Sequence, residues 1–364
     1  MNSPLSMLAM LLFSWLTSVP IRPTTPGQTT VPAPQRPIGT PSPLVLIGDL
    51  ARLVRLAEAF KATLSSDQIA LVQLPYSKAN ATKWSNFPEF AGRPRRVGIR
   101  LGLLNPAQLK AVKALMADVM AQHVPNEGFD ELEGNLAADE YFGKTTGKTD
   151  TFSPGNYFMA FLGTPSTTEL WELQFGGHHY AFANTYAGGR VTGVTPSFRG
   201  VEPMTAVTAN GRTYQPVEQE RQAFATLLAG LSSPEQTTAK LSSTFQDILL
   251  GPDRDGQFPT AKQGLKVGTL SAAQKALVLN AIKLYVNDLD PGTAAPVLAK
   301  YTAELADTYV AYSGSGTMNQ PGDYVRLDGP GLWIEYSAQP SRDFPGTTHP
   351  HSVWRDHRSD YGGN

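Results

Sequence analysis

The sequence predicts an α+β protein with a mostly antiparallel sheet flanked by helices. Three observations carry that reading: helix-start signatures recur along the chain, short apolar strand runs follow them, and the order of the first half returns in the second. Helices and strands that come in blocks, rather than in strict alternation, are the pattern of this class.

The helical signals come first. Over residues 44–74, Leu46, Leu50, Leu53, Val54, Ala57 and Phe60 recur at three- and four-residue steps, and Ser65-Ser66-Asp67-Gln68 restarts a short helix. Residues 76–102 carry no period and are expected to wrap the surface, with the basic run Arg93, Arg95, Arg96 as a solvated face. In Asn105-Pro106-Ala107-Gln108 the Asn suits an N-cap, the Pro a first turn and the Gln the capping-box position, so a helix should run to about His123. Ser271-Ala272-Ala273-Gln274 repeats this signature before a helix over 275–287, and Ser232-Ser233-Pro234-Glu235 is a weaker version. The acidic stretch Asp130, Glu131, Glu133, Asp139, Glu140 reads as a helix surface, because its spacing does not match a calcium-binding loop.

Strand runs at 157–162 and 170–175 are mirrored by runs at 308–312 and 332–336, with Trp171 and Trp333 on the returning strands. This suggests internal duplication of a helix-plus-hairpin unit, at about 103–203 and 269–362. The repeat is degenerate, since Trp171-Glu172-Leu173 and Trp333-Ile334-Glu335 put the carboxylate on different strand faces.

Composition narrows the function. A chain of 364 residues can bury a sizeable core, and 30 Lys plus Arg against 31 Asp plus Glu gives no field to steer nucleic acid, which is an unexpected partner. With no cysteine there are no disulfides, thiolate metal sites or cysteine nucleophiles. Residues 7–19 (MLAMLLFSWLTSV) form an uncharged apolar run of signal-peptide length, so 1–19 reads as a signal peptide. The Pro/Thr-rich stretch 20–43 reads as a disordered tether and 44–364 as one folded domain. The expectation is an exported protein, periplasmic or extracellular, that meets a membrane only through its N-terminal signal. Walker A, G-x-G-x-x-G, H-E-x-x-H and G-x-S-x-G patterns are all absent, which disfavours nucleotide chemistry and a serine elbow.

Five of the six histidines fall in two short clusters. The first, Gln174-Phe175-Gly176-Gly177-His178-His179-Tyr180, leaves an apolar strand, and its paired glycines imply a bulge that could aim both rings at one point. The second runs from Thr348 to Gly362 and holds His349, His351 and His357; in its His349-Pro350-His351, extended backbone puts both imidazoles on one face, the spacing by which one strand gives two ligands to a metal. His178 or His179 with His349 and His351, and a carboxylate from Glu202, Asp356 or Asp360, would suit Zn, Cu, Mn or non-haem Fe. Between the clusters, 195–203 reads as a loop holding Arg199 and Glu202 between turn formers. Arg355 and Arg358 could clamp an anionic group or pair with Asp356 and Asp360.

Trp171-Glu-Leu-Gln-Phe-Gly-Gly-His-His179, Thr195-Pro-x-Phe-x-Gly-x-Glu-Pro203 and His349-Pro-His-Ser-x-Trp-Arg-Asp-x-x-x-Asp-Tyr-Gly362 together resemble the bacterial family known as domain of unknown function 3500. Its members are commonly predicted to be exported. The resemblance spans most of the chain after the tether and implies a shared site without naming its reaction.

The reading that follows is a metal-dependent enzyme, hydrolytic by preference, acting on a small-molecule, sugar or peptide substrate. Its ligands would be His178 or His179 with His349 and His351, with Glu202 or Asp360 as ligand or general base and Arg355 on an anionic substrate group. A copper or iron oxidoreductase would use the same ligands. A rival is a non-catalytic sugar- or peptide-binding protein with Trp171, Tyr180, Trp333 and Trp354 lining a groove. A third reading makes the histidines structural pins, buried and fully hydrogen-bonded.

Overall fold

The computed structural model describes residues 50–89 and 96–363, which fall in one compact unit. The first half runs α1 (Leu50–Lys61), α2 (Ser66–Val72), β1 (Gln73–Leu74), α3 (Lys78–Ala81), β2 (Ile99–Arg100), α4 (Pro106–Val119), α5 (Phe129–Thr146), β3 (Phe158–Leu162), β4 (Trp171–Gly177), β5 (Tyr180–Ala187) and β6 (Arg190–Gly193). The short strand β7 (Ser197–Gly200) and the hairpin β8 (Val207–Ala209) and β9 (Arg212–Tyr214) follow. The second half runs α6 (Glu218–Ala229), α7 (Ser233–Ala239), β10 (Leu265–Lys266), α8 (Ala272–Val286), α9 (Pro291–Ala303), β11 (Tyr309–Ser313), β12 (Tyr324–Asp328), β13 (Leu332–Pro340) and β14 (Thr348–Asp356). The proposed signal peptide and tether, and Leu46, Arg93 and Arg95, lie outside the described residues.

The class is α+β. One 12-stranded sheet carries the order β1-β3-β4-β5-β7-β14-β13-β12-β11-β10, antiparallel throughout that path except for the parallel β1–β3 pair. The helix starts are where their caps place them: Ser65, Asn105, Ser232 and Ser271 each close a capping box with the residue three further on. In both halves a two-residue strand and a 3-10 turn precede the capped helix, at Ile99–Arg100 and Leu101–Leu103 before α4, and at Leu265–Lys266 and Val267–Thr269 before α8. Helix α4 ends at Val119, short of the expected His123, because Met120 turns extended and bridges Leu289.

Alternation along the strands divides the core in two. Phe161, Trp171, Tyr186, Ile334 and Tyr336 face the helices with Leu53, Leu115, Phe224 and Tyr285. Ala160, Ala183, Phe198 and Val353 face the other way and are covered by Trp84 and Tyr361. Two expectations are corrected here. Residues 76–102 do not merely wrap the surface: Trp84, Ser85 and Asn86 are buried, and Arg96 is a buried side chain that pairs with Glu89 at 2.8 Å and donates to the Gly177 carbonyl at 2.8 Å. The acidic stretch is helical, yet Asp130, Glu131 and Asp139 of α5 are buried rather than solvated.

Two strand expectations change as well. The second hairpin is a meander, because β12 inserts between β11 and β13. Residues 197–200 of the expected loop form β7, which pairs β5 on one side and β14 on the other and so joins the two half-sheets. Its Arg199 is fully buried on the helix side. Nε donates to Glu131 Oε2 at 2.7 Å, Nη2 contacts Asp288, and the guanidinium lies 5.2 Å from the Tyr285 ring centre. Although burial disfavours its charge, Glu131, with Tyr180 and Glu220, outweighs that penalty and holds the guanidinium protonated, its pKa above the usual arginine value.

Removing one member of such a pair leaves buried charge uncompensated, at about 3–5 kcal/mol. Arg199→Leu is therefore expected to lower the unfolding free energy in denaturant by about that amount. A loss under about 1 kcal/mol would show that the seam does not depend on this pair.

Candidate metal centre

The site begins with a tight turn. Gly177 pairs with Tyr180, so His178 and His179 are the two central residues of the β4–β5 hairpin rather than a bulge within a strand. His179 has φ 65°, in the left-handed region, at the second central position where a type II turn normally takes Gly or Asn. Backbone held in this way by a non-glycine residue clusters at functional sites. The turn stacks the two rings, with centres 3.6 Å apart, so neighbours that would diverge in a strand lie face to face. Gly177 is required because a Cβ there would fall 2.4 Å from the Tyr157 ring, whose hydroxyl donates to the His178 carbonyl.

Strand β7 delivers the partners. Tyr180 is opposite Arg199, and Gly200 is opposite His351, so the seam sets the first cluster beside the second. His349 and His351 share a face of β14, as expected, with ring centres 4.6 Å apart and planes at 87°. One ring nitrogen each from His179, His349 and His351 lies within 4.8 Å of the others. His179 Nε2 and His349 Nε2 are 2.7 Å apart, the distance of an N–H···N hydrogen bond. Gly200 leaves room for this meeting: a Cβ would sit 3.2 Å from both the His179 and His351 rings and 2.9 Å from the Pro350 carbonyl.

Three of the four rings have a carboxylate or amide near them. His351 Nδ1 contacts Asp247 Oδ1 at 2.9 Å and Gln339 Nε2 at 2.7 Å, while His351 Nε2 is buried with no hydrogen-bond partner. Glu202 Oε2 stands 3.5 Å from His349 Nδ1, and its other oxygen accepts from the Ser341 hydroxyl at 2.5 Å. His178 Nδ1 contacts Asp139 Oδ1 at 2.6 Å. Burial, reinforced by the neighbouring imidazoles, lowers His179 well below the usual histidine range and His349 to about 2, so both rings are neutral at pH 7. Neutral imidazole is the ligand form.

His179 is thus the member of the first pair that converges with the second cluster. His178 instead stacks on it and turns to Asp139. Glu202 stands behind His349. Arg355 and Asp360 are elsewhere, in another buried cluster: Arg355 is four residues beyond His351, about 13 Å along an extended strand. Its Nε donates to Asp360 at 2.8 Å, its Nη2 to Asp255 at 2.6 Å and its Nη1 to the Leu250 carbonyl at 3.2 Å. These donors face groups of this chain instead of an open anion site. Asp356 accepts from Lys300 at 2.6 Å and Tyr301 at 2.8 Å, and Arg358 pairs with Glu304. The rings of Trp171, Tyr180, Trp333 and Trp354 are all buried, so none lines an open groove.

Sequence reasoning missed Asp139, Asp247 and Gln339. Asp139 lies eight residues after Glu131, on one helical face with Leu132 and Leu136, and that spacing was a readable sign of burial. Asp247 stands alone in a long connection and carries no such sign.

A family model described as a protein of unknown function (DUF3500) matches residues 48–363. The chain belongs to this family. The matched span contains every residue of the histidine centre. No curated protein and no solved structure matches the chain.

The depressed histidines make an acid prediction. Their folded pKa values lie below the unfolded value of about 6.5, so they contribute stability above that pH, and the contribution is lost as pH falls. For chelator-treated protein the unfolding free energy should decline below about pH 6.5, by at most about 1.4 kcal/mol per pH unit per histidine. In His349→Gln the slope measured by urea titration at several pH values should be smaller. An identical slope in the variant would show that His349 is not held neutral.

Proposed function

We propose that this is an exported metal-dependent enzyme, hydrolytic by preference, whose metal is held by His179, His349 and His351. The observation that carries the reading is the convergence of three imidazole nitrogens with His351 Nε2 buried and unpartnered. A buried polar atom without a partner costs about 1–3 kcal/mol, and purely structural histidines would be expected to have theirs satisfied. The carboxylates near the rings support it further. Metal-bound histidines usually give their second nitrogen to a carboxylate or carbonyl, which fixes the tautomer and the ring plane. Asp247 and Gln339 stand in that position to His351, and Glu202 to His349.

The donor set fits the group. Three imidazoles without thiolate suit Zn, Cu, Mn or Fe and leave coordination positions open, the pattern of catalytic rather than structural sites. A tetrahedral ion with bonds of about 2.1 Å separates its nitrogens by about 3.4 Å, so His179 and His349 would part by roughly 0.7 Å from their hydrogen-bonded distance of 2.7 Å. When bound, the metal would act as a Lewis acid toward water or a substrate oxygen. His349, whose side chain keeps 18 % of its surface exposed, marks the side from which a substrate would approach. The His178–Asp139 pair stands next to the triad and is placed to hold or pass a proton there. The same ligands serve a copper or iron oxidoreductase, and the identity of the metal chooses between the two chemistries. Export rests on the apolar run at 7–19 followed by the Pro/Thr-rich stretch.

Elemental analysis of the protein purified without a His tag should give near-stoichiometric transition metal. The His349→Ala/His351→Ala variant, shown folded by circular dichroism, should have lost it. A parent that stays metal-free after incubation with Zn, Cu, Mn and Fe(II) would sink the metalloenzyme reading. The same assay on Gly200→Val, whose side chain would push on two of the rings, should show weaker retention against a chelator.

A further inference from the structure

The carboxylate beside His351 stands on a segment with no regular structure. Residues 241–264 contain no helix or strand, and Ile248 packs against the cluster of Phe198 and Val353, which puts the segment over the same face of the sheet as His351. Within it, Asp247 bears on which nitrogen of His351 carries the proton. His351 Nδ1 has two neighbours: Gln339 Nε2, a donor at 2.7 Å that also donates to Asp247 at 2.8 Å, and Asp247 Oδ1, an acceptor at 2.9 Å. The carboxylate favours a proton on Nδ1, which leaves the lone pair on the buried, unpartnered Nε2. The amide favours the opposite tautomer, in which Nε2 carries the proton and cannot be a ligand. Yet the Asp247 side chain is 39 % exposed, so its place depends on the backbone on either side of it.

That backbone is anchored twice. Two residues before Asp247, the Phe245 ring stacks on Tyr324 with centres 4.0 Å apart. Two and three residues after it, the Leu249 and Leu250 amides both donate to Glu335, at 2.6 and 2.9 Å. Glu335 is buried on β13, opposite Val353, and also accepts from the Tyr324 hydroxyl and from Trp333 Nε1, each at 2.7 Å. Each of its oxygens thus takes two donors, the full capacity of a carboxylate. Burial raises its pKa, and these four donors oppose the rise.

We propose that Glu335 is a positioning residue for the metal centre: by holding the Leu249 and Leu250 amides, with Phe245 as the second anchor, it keeps Asp247 on His351 and so presents Nε2 unprotonated to the metal. This rests on His351 being a ligand. Glu335→Gln keeps the shape but has one acceptor oxygen, so whichever way the amide turns, one of the two backbone N–H groups faces an NH2 and loses its partner. In ring-nitrogen NMR of the chelator-treated full chain, the parent should hold His351 with its proton on Nδ1. Asp247→Ala should move the proton to Nε2, and Glu335→Gln should shift the population the same way. Zn(II) affinity should fall about tenfold or more in each single variant. Because both act through one contact, Glu335→Gln should cost less than about a further twofold in the Asp247→Ala background. Phe245→Ala, at a partly exposed ring, should lower the affinity in the same way. A Glu335→Gln protein that loses stability but keeps the parent tautomer and Zn(II) affinity would overturn the proposal, as would penalties that add in the double variant. Should Glu335→Gln fail to fold, an unchanged tautomer and affinity in Phe245→Ala overturns it. A parent that binds no Zn(II) would end the metal reading instead, and the tautomer comparison would still decide what Glu335 does.

Discussion

The two half-sheets meet at one four-residue strand, and the histidine centre hangs on that join. On its helix side β7 sends Arg199 into the carboxylates of α5 and of the α8–α9 connection. On its other side Gly200 offers the flat surface over which His179 and His351 approach. A seam of so few residues makes few backbone hydrogen bonds, so side chains must supply the remaining cohesion, and a buried ion pair fixes position even where its net contribution to stability is small.

The same join explains why histidines 170 positions apart in the chain can share a proton. Neither cluster could form the centre alone. The turn at His178–His179 brings a left-handed backbone and a stacked pair of rings; β14 brings two rings on one pleat face. Their meeting is set by register, and a shift of one residue in β14 would turn His349 and His351 to the helix side.

Much of this was legible in the residues. Capping boxes announced α2, α4, α7 and α8, since a Ser or Asn three residues before Gln or Glu satisfies amides that would otherwise be orphaned. Alternation in His349-Pro350-His351 gave the shared face of those two rings. What escaped was set by tertiary contact. Strand β7 reads as a loop because it is short and ringed by Pro and Gly, and only two neighbouring strands make it extended. Strand β12 escaped because Tyr324-Val325-Arg326-Leu327-Asp328 carries charges that are buried only because Arg326 and Asp328 find partners far along the chain. Asp139 escaped because an acidic helix face is ordinarily solvated, and this one is closed by Phe142 and Phe152 packed around His178.

The position of β14 in the chain has a consequence for assembly. Residues 50–200 can set up β3, β4, β5 and the His178–His179 turn among themselves, leaving β7 with one unpaired edge until β14 arrives. Such an edge is a template for any extended chain that reaches it first. Closing it needs contacts across most of the sequence, the slow kind in loop-closure terms. The histidine centre is therefore completed only when the last strand docks, and an imidazole triad that captures metal would then latch the molecule shut at the point where misassembly is easiest.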